Sequence, residues 1–189
     1  MRHSPWPSMR HRTPTSSRGI WCSHPEHPGT AWSPPSSARL GRRPPNIPPL
    51  PASFQHFRSD LGAQVYGAMG IAREDMARHA AAVLRNWEFF RAPVAGIVCM
   101  HRDLGPADAL SVGMFLQTLL LALTERGLGS VVEVSISGYP EIVRAQLDIP
   151  AELSILCGLA VGYPDPEFPA NKLHIGRQPV GENVVFVDN

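Results

Sequence analysis

Residues 116–150 read LQTLLLALTERGLGSVVEVSISGYPEIVRAQLDIP, and the order of signals within them decides the fold. An aliphatic run long enough for several helical turns stops at Gly127 and Gly129, a pair placed as helix C-caps are. The β-branched stretch 131–136 then reads as a strand, and Pro140 sits where it suits the first turn of a short helix over 140–147.

Outward from this stretch the same alternation continues. Residues 52–70 and 73–90 read as helices; in the second, Met76, Ala80, Val83, Leu84, Trp87 and Phe90 recur at helical spacing and would cover one face. Pro93 closes that run, 94–100 is a β-type run, and Pro106 stands near the start of the long helix. Residues 153–161 form a mostly continuous apolar strand expected to be buried on both faces. Strand, helix, strand, helix, strand implies α/β or α+β architecture with helices covering a central sheet. The tail from Pro164 carries four prolines and ends in Val184, Val185, Phe186 and Val187, expected to be a final strand. An unpaired Val-rich edge of that kind would be a liability.

Charge divides the chain at Pro51. Residues 1–51 hold 7 Arg, 1 acidic residue and 12 of the 20 prolines, whereas 52–189 hold 10 basic and 15 acidic residues, so the net +1 combines +6 with −5. The first part lacks helical or strand period and enough aliphatic content to offset its ordering entropy, so residues 1–43 are expected to be a disordered or aberrant basic, Pro-rich leader. Its arginines, among them Arg10, Arg12, Arg42 and Arg43, are scattered, and Trp6, Trp21 and Trp32 form no stacking platform. That disfavours nucleic-acid binding. Residues 44–189 are long enough for one core.

No aliphatic run precedes Trp21, which disfavours a secretory signal. The longest apolar segment, 109–123, is interrupted by Gln117 and Thr118 and falls short of the ~20 residues that span a bilayer. It reads as a buried helix of a cytoplasmic protein. Cys22, Cys99 and Cys157 are odd in number and far apart, against a disulfide framework. His79, His101 and His174 lack helical partners for a metal, and no metal is expected.

The combination of Gly127-Leu128-Gly129-Ser130, the Tyr139-Pro140 turn, Val143-Arg144, the Leu147-to-Pro150 exit, Gly162-Tyr163-Pro164 and a late Arg177 resembles the FMN-dependent nitroreductase family over about residues 44–189. The resemblance implies an α+β, three-layer fold with helices around a central, mostly antiparallel sheet and an extended C-terminal arm that reaches over a partner subunit. It implies a homodimer that binds FMN and transfers electrons from NAD(P)H to nitroaromatic or quinone-type acceptors. Gly127, Leu128, Gly129 and Ser130 would approach the phosphate side of the flavin, Arg177 would match the late phosphate-binding arginine, and Ser137 and Gly138 would offer backbone amides near the N5 and O4 edge of the ring.

Physical chemistry gives these positions a rationale. FMN joins a charged phosphate to an apolar tricyclic ring, so its site needs cations and close backbone approach. Glycine leaves the backbone uncovered, and Arg177 can engage phosphate oxygens bidentately. Helix termination accounts for the glycines equally well, and a solvated surface charge accounts for a lone arginine. Because the flavin carries the electrons, no catalytic side chain is assigned. Glu133, Glu141 and Arg144, as singletons, are expected to be surface charges.

Two family motifs, an N-terminal Arg-Arg-Ser-x-Arg segment and a Ser-Asn-x-Gln-Pro-Trp loop, do not occur in this chain. Their absence leaves a second function open, a non-catalytic remnant or flavin-binding interaction protein. It also gives the leader a further interpretation as a neighbouring reading frame: from Met9, shifted codons can spell Ala-Pro-Pro-His-Ser-Asn-Ile-Gln-Pro-Trp-His.

Overall fold

The computed structural model describes residues 46–47 and 49–187, together with the backbone of a strand at Arg18–Ser23. The chain divides into two compact units, one of residues 1–47 and 86–162, the other of residues 48–85 and 163–189.

The first unit is built on a four-stranded sheet in the order β1-β2-β4-β3, formed by β1 (Arg18–Ser23), β2 (Val94–His101), β3 (Gly129–Glu133) and β4 (Leu153–Gly162). Every pairing is antiparallel: β2 runs from Val94 opposite Val161 to His101 opposite Leu153, with an irregularity between Val98 and Cys99. β3 runs from Gly129 opposite Gly162 to Glu133 opposite Gly158. The two central strands are the most apolar, which suits strands flanked on both edges. Ile97, Cys99, Ile136 and Val143 are fully buried, and each such aliphatic side chain contributes about 1.5–3 kcal/mol.

Two helices belong to this unit, α3 (Pro106–Glu125) and α4 (Pro140–Leu147). Gly105 precedes α3, and the Asp108 carboxylate accepts the Gly105 N–H at 3.1 Å, closing its first turn. Val112 packs with Val98, Met100 and Cys157 of the sheet, flanked by Leu104, Ala109, Leu116 and Leu156. α4 has the bounds its sequence implies; it ends at Asp148 in the left-handed region, φ 49°.

In the second unit α1 (Gln55–Ala68) follows a 3-10 turn at Ala52–Phe54, and α2 (Met76–Trp87) begins after a tight link, its last two residues lying in the first unit. Asp75 accepts the Arg78 N–H at 3.0 Å, while the Arg78 guanidinium donates to the Gly70 carbonyl at 2.8 Å. The Tyr66 and His79 rings meet edge-on, centroids 4.3 Å apart. The arm contains a 3-10 turn at Pro169–Lys172 and one helical turn at Val180–Asn183.

Six expectations need correction. Regular structure reaches into the leader: Arg18–Ser23 pairs with β2, because a sheet edge offers backbone hydrogen bonds to any extended segment whatever its side chains. The rest of residues 1–43 lies outside the described residues. The strand expected at 131–136 is shorter and earlier, and Val134–Gly138 winds into a 3-10 turn instead. Helix α2 stops at Trp87, and Phe89, Phe90 and Arg91 turn left-handed, with φ of 47°, 52° and 61°. Of the face expected to be covered, only Trp87 is buried.

The long helix is not buried either. Val112 is its sole buried residue, and Leu110, Met114 and Leu121 are 67%, 64% and 61% exposed. At 20 residues α3 is long and apolar enough to cross a membrane by length and composition, a criterion that core helices of soluble proteins also meet. Finally, residues 184–187 form no strand among the described residues; they are exposed, and a strand exists only where a neighbour completes its ladder.

Candidate functional site

Six of the seven expected cofactor-binding residues follow one another along a single path, from the end of α3 through β3 into the 3-10 turn. Gly127 takes φ 71° as α3 ends. Its N–H donates to the Thr124 carbonyl at 2.9 Å and the Leu128 N–H to the Leu123 carbonyl at 3.0 Å, the paired bonds of a Schellman stop. Helix termination is therefore what Gly127 does in the chain. The stop delivers Leu128, Gly129 and Ser130 into β3, where Gly129 lies opposite Gly162 and Ser130 opposite Val161.

The turn Val134–Gly138 is held at several points. Ser137 Oγ donates to the Val134 carbonyl at 2.8 Å, so its hydroxyl is engaged within the turn. The Gly138 carbonyl accepts the Asn46 N–H at 2.8 Å. Ile136 is fully buried, and the following Tyr139 meets Trp87 edge-on, ring centroids 4.9 Å apart. A turn fixed in this way presents its backbone in one geometry, which is what recognition of a flat ring by amides demands. Arg177 belongs to the second unit, where it is exposed and its Nη1 donates to the Ile175 carbonyl at 2.9 Å and the Gly176 carbonyl at 3.2 Å.

Of the three expected surface charges, Glu133 is buried and Arg144 half-buried. Glu133 is 2% exposed, and both carboxyl oxygens lack a hydrogen-bond partner among the described residues. Burial pushes its pKa up to about 8. The Arg144 guanidinium donates to the carbonyls of Pro150, at 2.6 Å, and of Leu153, fastening the chain between α4 and β4. Glu141 is exposed, as expected. The sequence signal for the burial of Glu133 is a lone acidic residue between Val132 and Val134 in an otherwise apolar run. Burial also raises the thiols of Cys99, to about 12, and Cys157, to about 11, leaving them protonated packing groups. Among the described residues no cluster of three or more His, Cys, Asp or Glu is placed to hold a metal.

The family model for the nitroreductase family matches residues 52–163, well over half of the chain. The chain belongs to the nitroreductase family. Among its relatives in that family, nitrobenzene nitroreductase of Ectopseudomonas oleovorans is 33% identical over 139 residues, covering 74% of this chain and 60% of the relative. The 4-nitrobenzoate reductase of Nocardioides sp. (strain LMS-CY) is 32% identical over 135 residues, 71% of this chain and 55% of the relative. The chain thus spans less than two thirds of the length of either. The crystal structure of the FMN and NADPH-dependent nitroreductase NfnB from Sphigopyxis sp. strain HMH superposes with a TM-score of 0.80 at 26% identity, covering 92% of this chain and 81% of that one. The nitroreductase fold, α+β with an antiparallel sheet, is shared between them.

Proposed function

We propose that this nitroreductase-family chain is an FMN-dependent oxidoreductase, working as a cytoplasmic homodimer, that carries electrons from NADH or NADPH to nitroaromatic or quinone-type acceptors. The observation that carries the proposal is the 3-10 turn at Val134–Gly138, pinned through Ile136, Ser137 and Gly138 so that its backbone stays in one conformation. Its relatives act on nitrobenzene and 4-nitrobenzoate by name, which supports flat nitroaromatic acceptors.

The residues present fit FMN in their chemistry. A guanidinium at Arg177 suits a phosphate, a glycine-bounded strand entry at Gly127 to Ser130 permits close approach, and the rigid turn around Ser137 and Gly138 suits a ring edge. When bound, FMN supplies the two-electron exchange between nicotinamide and acceptor. The chain's own part is to bind and orient: Arg177 holds charge, and the turn keeps amide dipoles where negative charge develops. A second copy is supported by α3, whose large apolar side chains are exposed, and by the exposed Val184, Val185, Phe186 and Val187.

FMN binding by the 189-residue chain, followed by quenching of flavin fluorescence, tests the proposal. Stoichiometric binding is expected, weakened about tenfold or more in Arg177→Ala by loss of a charge-assisted contact. A chain that binds no FMN would overturn the enzymatic reading and leave the non-catalytic one.

A further inference from the structure

Glu133 is the one buried charged or polar residue among the described residues, and its carboxyl group has no hydrogen-bond partner among them. It ends β3, its backbone in register with Gly158, and the next residue opens the 3-10 turn that carries Ser137 and Gly138. Both carboxyl oxygens are closed off from solvent with no hydrogen-bond partner among the described residues. An ionised carboxylate so enclosed costs several kcal/mol, and an apolar residue of like size would remove that cost. A protonatable group placed there responds to whatever charge arrives on the turn.

We propose that Glu133 is a positioning residue that takes up a proton when the ring held by the 3-10 turn is reduced, so that electron arrival and proton uptake are coupled inside the sheet. This inference rests on the flavin reading above. A hydride from the nicotinamide brings the ring two electrons and one proton, leaving one added negative charge. Where Glu133 is ionised before reduction, that is above pH about 8, its carboxylate then forms an O–H bond with a proton drawn from solvent, and the net charge beside the turn is restored. The nicotinamide is oxidised, the ring is reduced, and Glu133 changes only its protonation.

The groups around Glu133 leave this titration to it. Cys157 on β4 and Cys99 on β2 are pushed up to about 11 and about 12, and Tyr139 after the turn is raised by its burial and by Glu141, so all three stay neutral where Glu133 changes. Arg144 on α4 is occupied by backbone carbonyls, and Glu141 lies exposed on the same helix. The Glu133 value of about 8 reflects desolvation. Negative charge on the turn raises it further, and that difference is the coupling.

The test is the midpoint potential of FMN bound to the full chain, titrated with dithionite across the pH range around 8, for wild type and Glu133→Gln. Above pH about 8 the wild type is expected to change its reduction equilibrium a further tenfold per pH unit, a slope steeper by about 30 mV per unit for two electrons, and Glu133→Gln is expected to lack this extra slope. Parallel lines for the two proteins overturn the inference and leave the flavin reading standing. Failure of the wild type to bind FMN at any pH overturns both. Should Glu133→Gln not fold, the wild-type line decides alone: a break above pH about 8 supports the coupling, and its absence overturns it.

Discussion

The Cβ that Gly158 lacks would stand 2.7 Å from Ile136 Cγ1, so the 3-10 turn rests on β4 through a gap that only glycine leaves. Phe89 Cε1 closes the same gap from the other neighbour, at 2.8 Å from that Cβ. Ile136 is fully buried and Phe89 is 2% exposed, so neither has room to retreat. Gly158→Ala is therefore expected to destabilise the protein by about 1–3 kcal/mol, the usual cost of overpacking. Thermal unfolding checks this, and an unchanged midpoint would mean that the turn can shift on the sheet.

A different constraint operates at Gly127. A Cβ there meets nothing within 4 Å, so space is plentiful and the backbone angle of 71° alone decides. Gly127→Ala is expected to cost about 1 kcal/mol, and Gly127→Asn less, since asparagine tolerates the left-handed region. If alanine proved neutral by denaturant unfolding, the Schellman stop would not be what orders the entry to β3.

Glu133 also makes stability depend on pH. Its folded-state value, about 8, lies above the 4.5 of an exposed glutamate, so the native state keeps a proton that the unfolded chain gives up. The stability it contributes is fully present below pH 4.5 and is lost as pH rises towards about 8, at up to about 1.4 kcal/mol per unit. Above that pH both states are ionised and its effect levels off. Urea unfolding of Glu133→Gln is expected to lack this decline between pH 5 and 8; an identical decline in both proteins would assign it to other groups.

How far the sequence reveals this molecule depends on which signals are local. Helix α4 begins at Pro140 and ends at Leu147 as expected, because a proline start and a short amphipathic repeat are complete within the segment. β2 and β4 likewise follow from apolar β-branched runs. The turn at Val134–Gly138 was hidden, since Val134 and Ile136 have strand propensity and what bends the chain is Ile136 fitting over Gly158, twenty-two residues away. Glu133 is hidden for the same reason: its side-chain type implies exposure, while register against β4 buries it. The left-handed Phe89, Phe90 and Arg91 carry no sequence signature, as none is glycine, and only the packed surroundings of Phe89 account for them. The candidate site residues of the first unit fall on one continuous path, which their order in the chain already implied.

The exposed face of α3 gives a decisive experiment on assembly. Leu110, Met114 and Leu121 leave an apolar surface that a lone soluble chain would be costly to carry, and a second copy of the chain would remove it from water. Wild type is expected to run in multi-angle light scattering at twice the 20.6 kDa chain mass. Met114→Glu places a charge on that face at a position 64% exposed within the chain. It is expected to shift the mass to that of one chain while the far-ultraviolet circular dichroism is unchanged. A variant that remains dimeric would place the interface elsewhere than α3, and a variant that loses its helix signal would show that the face is packed within the protomer.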